Sequence, residues 1–295
     1  MPGVIDSHIH LYPPEVCRDP SGWAEAQGEP GWSRCVAPTD RRSIQGWADI
    51  DRLLSDMDRA GVERCVLLGW YWERQVTCDL QNEWYGACVK LHPDRLSAFA
   101  AAQPGSGTRA VEGARKALDS GLAGLGELHP TAQGFSFSDE GWHGLAELAG
   151  QRGVPITLHV SDPAASVPGA VPTPLDSYVR TAGEFPSTRL ILAHWGGGLP
   201  FLELNPKVAA ALRNVFYDSA ASPLLYSPSV YRRVADLVGP ERILFGSDYP
   251  LLSHPRETRE PGFERSIRDA RGSGLTEAEL ERVMGGNLRR LLSLR

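Results

Sequence analysis

The chain has 295 residues, 42% hydrophobic and 22% charged, a balance that supplies a full core and argues against a disordered or fibrous protein. Its formal net charge of −6 comes without a basic run, so there is no electrostatic footprint for nucleic acid. No apolar stretch approaches a bilayer span, the start lacks a basic-then-apolar leader, and five cysteines without a C-x-x-C argue against a disulfide framework or structural zinc; a cytoplasmic protein is expected.

Short apolar runs alternate with helical patterns along the chain. Residues 3–10 (GVIDSHIH) read as the first strand, followed by a long Pro-, Gly- and Trp-rich segment over 11–46. Ile50, Leu53, Leu54 and Met57 follow the i, i+3, i+4, i+7 stripe of a helix ending at Gly61. Strands are predicted over 64–69, 96–102 and 122–128, with a helix over 110–118 ending near Gly121. A helix over 142–149 ends near Gly153, and a strand over 155–160 follows. A second long loop covers 161–174, and strands at 189–194, 215–219 and 242–248 complete about eight. Continuous apolar strands alternating with helices imply a parallel sheet covered by helices. About eight such units favour a single domain over 1–295, a closed (β/α)8 TIM barrel with a long loop after strand 1. The alternative is an open doubly wound sheet, and no G-x-G-x-x-G follows a strand to support its dinucleotide-binding form. Both long loops follow strand C-termini, where barrels place active sites, and read as pocket walls or lids.

The polar residues cluster at those strand ends. His8 and His10 end the first strand, Glu127 the fourth with His129 two residues on, His159 the fifth, His194 the sixth and Asp248 the eighth. Residues two apart on a strand share a face, so His8 and His10 both look into the mouth. Asp6, one step deeper on that face, is placed to hold a ring N–H of a ligating histidine. Imidazoles and carboxylates around one mouth suit a divalent ion, most simply Zn2+, with Mn2+ as the alternative and one or two ions in play.

IDSHIH, ITLHVSD, LILAHWGGG and LFGSDYP, in this order, resemble the amidohydrolase superfamily. The resemblance is strongest to the amidohydrolase-related branch (amidohydrolase 2) that includes aminocarboxymuconate-semialdehyde decarboxylase-like enzymes. It implies a (β/α)8 barrel with metal at the C-terminal mouth. Carried over, His8, His10, His159 and Asp248 are metal ligands, Asp248 is also the proton carrier, and His194 is a catalytic residue or second-metal ligand. Glu127 stands where many binuclear relatives carry a carboxylated lysine, so it bridges two metals, binds one or contacts substrate. The reaction expected first is metal-assisted hydrolysis of an amide-, lactone- or ester-like bond in a small molecule, with Asp248 as base. The alternative is non-oxidative decarboxylation of a small carboxylic acid, and below it a non-catalytic metal-binding protein.

Trp70, Trp72, His129, Trp195 and Tyr249 are the candidates for substrate contact, with Arg34, Arg41, Arg42 and Arg74 as carboxylate clamps. Asp218 and Asp162 support ligands or touch substrate, and His254 is a weaker candidate. His92 and His143 read as structural. Homo-oligomerisation is left open, with 220–226 as lid or interface.

Overall fold

The structure is a computed structural model that describes residues 3–164 and 172–294. Eight strands, β1 (Val4–Ile9), β2 (Val62–Leu67), β3 (Leu96–Ala100), β4 (Gly124–Leu128), β5 (Ile156–Leu158), β6 (Leu190–Leu192), β7 (Val215–Asp218) and β8 (Ile243–Leu244), pair in chain order. Every pairing is parallel. Backbone bonds close the ring between first and last: Ser7 N donates to the Phe245 carbonyl at 2.8 Å, His10 N to Tyr249 at 2.7 Å and Asp248 N to His8 at 2.9 Å. The fold is therefore the (β/α)8 barrel, and the open sheet is ruled out by these crossings.

The helices that matter for the site lie in the first half of the chain. The segment after β1 carries α1 (Pro14–Arg18), α2 (Pro20–Gln27) and α3 (Pro30–Val36), where the sequence suggested only a loop. Each begins on a proline, which suits a first helical turn because that turn has no use for the missing N–H. Next come α4 (Ile50–Ala60), capped by the Asp49 carboxylate and ended by Gly61 at φ 69°, and α5 (Gln75–Leu91). Helix α6 (Thr108–Asp119) follows β3, and α7 (Pro130–Gln133) and α8 (Glu140–Arg152) lie between β4 and β5.

Three apolar clusters hold the molecule. The largest fills the space between strands and outer helices. A second closes the barrel interior with Ile5, Val66, Phe99, Ile191 and Leu244 against Leu288 and Leu291 of the C-terminal helix. The third lies under the α1–α3 insertion, where Tyr12, Trp32, Trp70 and Trp72 meet. Two carboxylates tie the insertion down. Glu29 accepts from the backbone N–H of Glu73 at 2.7 Å and of Arg74 at 3.2 Å, and Glu73 accepts from Gly31 N at 2.5 Å. Of the second long loop, 165–171 lie outside the described residues.

β4 reaches the mouth through Gly126, whose φ is 111°. A Cβ there would lie 2.3 Å from the Thr157 carbonyl oxygen on β5, so both conformation and space require glycine. Gly126→Ala should lower the unfolding free energy by about 2 kcal/mol or more. Urea denaturation checks this, and an unchanged midpoint would show that the position tolerates a side chain.

Candidate metal centre

Six side chains from five strands converge at the C-terminal end of the barrel. His8 and His10 lie on β1 with their Nε2 atoms 3.1 Å apart. The tautomer of each ring follows from its other nitrogen. His10 Nδ1 lies 3.2 Å from the Leu68 carbonyl, which only accepts, so Nδ1 carries the hydrogen and Nε2 presents a lone pair. His194 Nδ1 lies 3.1 Å from the Ala220 carbonyl, with the same consequence. His8 Nδ1 faces the Asp218 carboxylate at 2.9 Å, the arrangement that orients metal-ligating histidines and makes them more basic. With these rings neutral, three imidazole lone pairs therefore point inward.

Glu127 sits between two halves of the cluster. Its Oε2 lies 3.9 Å from His8 Nε2 and 3.7 Å from His10 Nε2. Its Oε1 lies 3.1 Å from His159 Nδ1 and 3.6 Å from His194 Nε2. Asp248 completes the first half, with Oδ1 3.6 Å from both β1 histidines. Three triads, His8–His10–Glu127, His8–His194–Asp248 and Glu127–His159–His194, each have ligand atoms within 4.8 Å of one another.

The charge balance shows what fits at the centre. Burial works against a charge on His8, but Asp218, Glu127 and Asp248 outweigh it and push its pKa up to about 10. Burial and then the neighbouring His8 push His10 down to about 4. Burial would raise Glu127, yet His159 and His8 hold it well below the usual carboxylate range. Ionised, buried carboxylates thus demand positive charge among them. A divalent cation would supply it with every ring neutral, so the donor set fits one by charge, by tautomer and by its mix of imidazole and carboxylate.

Two strand ends bend sharply to aim these groups. His194 and Trp195 have φ of 57° and 58°, and Asp248 has φ 66°. β6 stops at Leu192, just before the bend at His194, and β8 at Leu244, four residues before the bend at Asp248, both short of the predicted ends at 194 and 248. The bends also redirect two residues expected at the pocket wall. Trp195 is fully buried with its indole N–H donated to Ser222 Oγ at 2.9 Å, and Tyr249 stacks on Phe263 and donates to Asp56 at 2.9 Å. Asp6 differs from expectation too: its carboxylate accepts from the backbone N–H of His8 and Ser247, not from a ring. The ring is held by Asp218, which also accepts from His194 N and Ala220 N, both at 3.0 Å.

Of the aromatic candidates, Trp70 lies at the mouth, its ring centroid 5.2 Å from that of His10. Trp72 instead donates its N–H to Gln81 and packs on Trp23 and Trp32. Tyr71, between the two tryptophans in the chain and not among the candidates for substrate contact, lies 5.3 Å from His159 and 5.2 Å from His129. His129 stacks on His159 at 4.6 Å, its Nδ1 accepts from Ala132 N, and burial with His159 pushes its pKa down to about 2. It is a neutral ring with its hydrogen on Nε2. Arg41 and Arg74 bond to carbonyls of the insertion, His254 faces Asp269, and Asp162 accepts from the Tyr226 hydroxyl.

The amidohydrolase family model matches residues 5–294. The chain belongs to that family. Among solved structures, 5-carboxyvanillate decarboxylase from Sphingomonas paucimobilis is 17% identical, with 99% of each chain covered and a TM-score of 0.78. A dihydroxybenzoic acid decarboxylase from a Polaromonas species, with bound manganese and the inhibitor 2-nitroresorcinol, is 17% identical over 100% of this chain and 98% of that one, at TM-score 0.74. A curated relative, 6-methylsalicylic acid decarboxylase from Penicillium expansum, is 24% identical over 144 residues, 38% of this chain and 44% of its own length. The similarity thus spans less than half of that curated relative.

These relatives overturn the expectation of hydrolysis: the reactions named for them are decarboxylations. The H-x-H pattern and strand-end carboxylates place charge at a barrel mouth for either chemistry, so residue types alone did not separate the two. No helix among the described residues is long and apolar enough to cross a membrane.

Asp218→Asn should weaken divalent-metal affinity about 10- to 100-fold, because the His8 ring loses the partner that orients it. Titration calorimetry with Mn2+ measures this, and undiminished affinity would remove Asp218 from the site.

Proposed function

We propose that the protein is a divalent-metal-dependent, non-oxidative decarboxylase of a small aromatic carboxylic acid. The observation that carries this reading is the stacked pair Trp70–Tyr71, ring centroids 4.2 Å apart, one ring beside His10 and the other beside His159. A planar acid laid along these rings presents its carboxylate to the inward-facing donors. The decarboxylase activities named for the relatives, and the manganese bound to one of them, support the same reading.

In this reading His8, His10, Glu127, His159, His194 and Asp248 form the donor set from which the ion takes its ligands, with zinc or manganese suited to such nitrogen and oxygen donors. When bound, the cation would neutralise the substrate carboxylate and hold it at the mouth. The reaction breaks the bond between ring carbon and carboxyl carbon. The electron pair stays on the ring carbon, which takes a proton as CO2 departs. Asp248, reaching the mouth from β8, is the group we assign to deliver that proton. His194 is held by Ala220 and Asp218 and keeps its lone pair turned inward, where it orients the reacting group. His129, neutral with its Nε2 hydrogen, offers a donor to a ring oxygen. The near-complete burial of His8, His10 and Glu127 keeps bulk water from the electron-rich carbon.

Asp248→Asn should retain bound metal while CO2 release falls by about 10²- to 10⁴-fold. Metal analysis alongside a CO2 assay on hydroxylated benzoic acids checks both halves, and near wild-type turnover would remove Asp248 from the proton step. Chelation should abolish CO2 release from the wild-type protein, and added Mn2+ or Zn2+ should restore it. Turnover that persists at zero metal content would sink the metal-dependent reading.

A further inference from the structure

Asp56, on α4, is a fully buried carboxylate that lies outside the metal triads. Its Oδ1 receives Arg59 Nη2 at 2.7 Å, and its two oxygens receive Arg52 Nε at 2.9 and 2.8 Å. Oδ2 also accepts from the Tyr249 hydroxyl at 2.9 Å. The two arginines reach further: Arg52 Nη2 meets Glu260 at 3.1 Å and Arg59 Nε meets Glu264 at 2.7 Å. One helix thus grips the chain beyond β8 at residues 249, 260 and 264. A buried ion pair adds little stability over apolar side chains of the same volume, but its bonds select one geometry. The use of that geometry lies at Tyr249, the chain neighbour of Asp248.

Asp248 needs a support of this kind. Its φ of 66° is a left-handed conformation that is unfavourable for a residue with a Cβ. Its Oδ1 stands 3.6 Å from both β1 imidazoles, beyond hydrogen-bond range, so among the described residues its aim follows from the backbone. That backbone is held on one side by the bond from Asp248 N to His8 and on the other by Tyr249. Tyr249 N donates to Ser247 Oγ at 3.0 Å and its carbonyl accepts from His10 N at 2.7 Å. Its ring stacks on Phe263 at 4.6 Å, and its hydroxyl meets Asp56. Stack and hydroxyl bond fix the Tyr249 side chain, and with it the peptide that Tyr249 shares with Asp248. We propose that Asp56 is a positioning residue: through the Tyr249 hydroxyl it holds the Asp248 carboxylate in register with the donor set. The proposal rests on the reading of Asp248 as metal ligand and proton carrier.

Titration calorimetry with Mn2+ on the full chain, paired with thermal melts, reads the placement of Asp248 without turnover. Tyr249→Phe keeps the ring, its stack on Phe263 and both arginine pairs of Asp56. It should melt close to wild type yet bind Mn2+ about tenfold more weakly. Asp56→Asn should do the opposite. Its amide still bonds the hydroxyl, so affinity should stay within about threefold of wild type, while the unmatched arginines lower the melting temperature. In the Asp248→Asn background, Tyr249→Phe should remove no further affinity. In the CO2 assay Tyr249→Phe should lower kcat about tenfold with KM moving less than about twofold. Affinity that tracks the melting temperature across these variants, a Tyr249→Phe loss undiminished in the Asp248→Asn background, or wild-type affinity in Tyr249→Phe would each overturn the proposal. The crossed pattern of affinity and melting without any CO2 release would support the positioning role and overturn the decarboxylase reading alone.

Discussion

One fully buried carboxylate, Asp218, organises the mouth of this barrel. It binds the His8 ring from β1, the His194 backbone N–H after β6 and the Ala220 N–H beyond its own strand. Burial opposes its charge, yet the His8 imidazole and the surrounding donors hold its carboxyl below the ordinary range. Three separate segments are thereby locked to one point. The left-handed backbone at His194 and Trp195 is kept in place by the same bonds, and that turn directs an imidazole lone pair into the cluster. Without this anchor the histidines would remain near one another but would have no common focus.

Much of the arrangement was legible in the sequence because barrel strands repeat a simple rule. An apolar strand ending in a lone imidazole or carboxylate places it at the mouth, and His8, His10, Glu127, His159, His194 and Asp248 all obey it. What the strand rule does not capture is the bend just past a strand. Trp195 and Tyr249 follow such bends and therefore face helices, although their neighbours in sequence face the site. For a related reason the ring that Asp6 was expected to hold is held by Asp218, which reads in the sequence as a support for ligands or a substrate contact. Which carboxylate reaches a ring nitrogen depends on packing between β1 and β7, two strands far apart in the chain.

The insertion after β1 was harder still. Its helices start on prolines and carry tryptophans and glycines, so neither an apolar stripe nor a cap stands out. Their stability comes from outside, from the aromatic cluster shared with Trp70 and Trp72 and from the two glutamates that receive backbone N–H groups. The chemistry was similarly undetermined by residue type: the same imidazoles and carboxylates serve water activation or carboxylate capture. The aromatic pair Trp70–Tyr71 is adjacent in the chain, but its place beside His10 and His159 emerges only once β1, β2 and β5 are brought together, and it favours the second.

The Glu29–Glu73 clasp has an evolutionary implication. Glu29 receives the main-chain N–H groups of Glu73 and Arg74, and Glu73 that of Gly31, where a Cβ would lie 2.8 Å from the Glu73 carboxylate. The clasp thus fixes Glu29, Gly31 and Glu73, and the exposed positions of the 14–36 stretch outside it and outside the aromatic cluster can drift while the anchorage persists. A barrel that keeps its donors in fixed positions thus carries beside them a segment whose exposed positions are free to diversify without rebuilding the floor of the site.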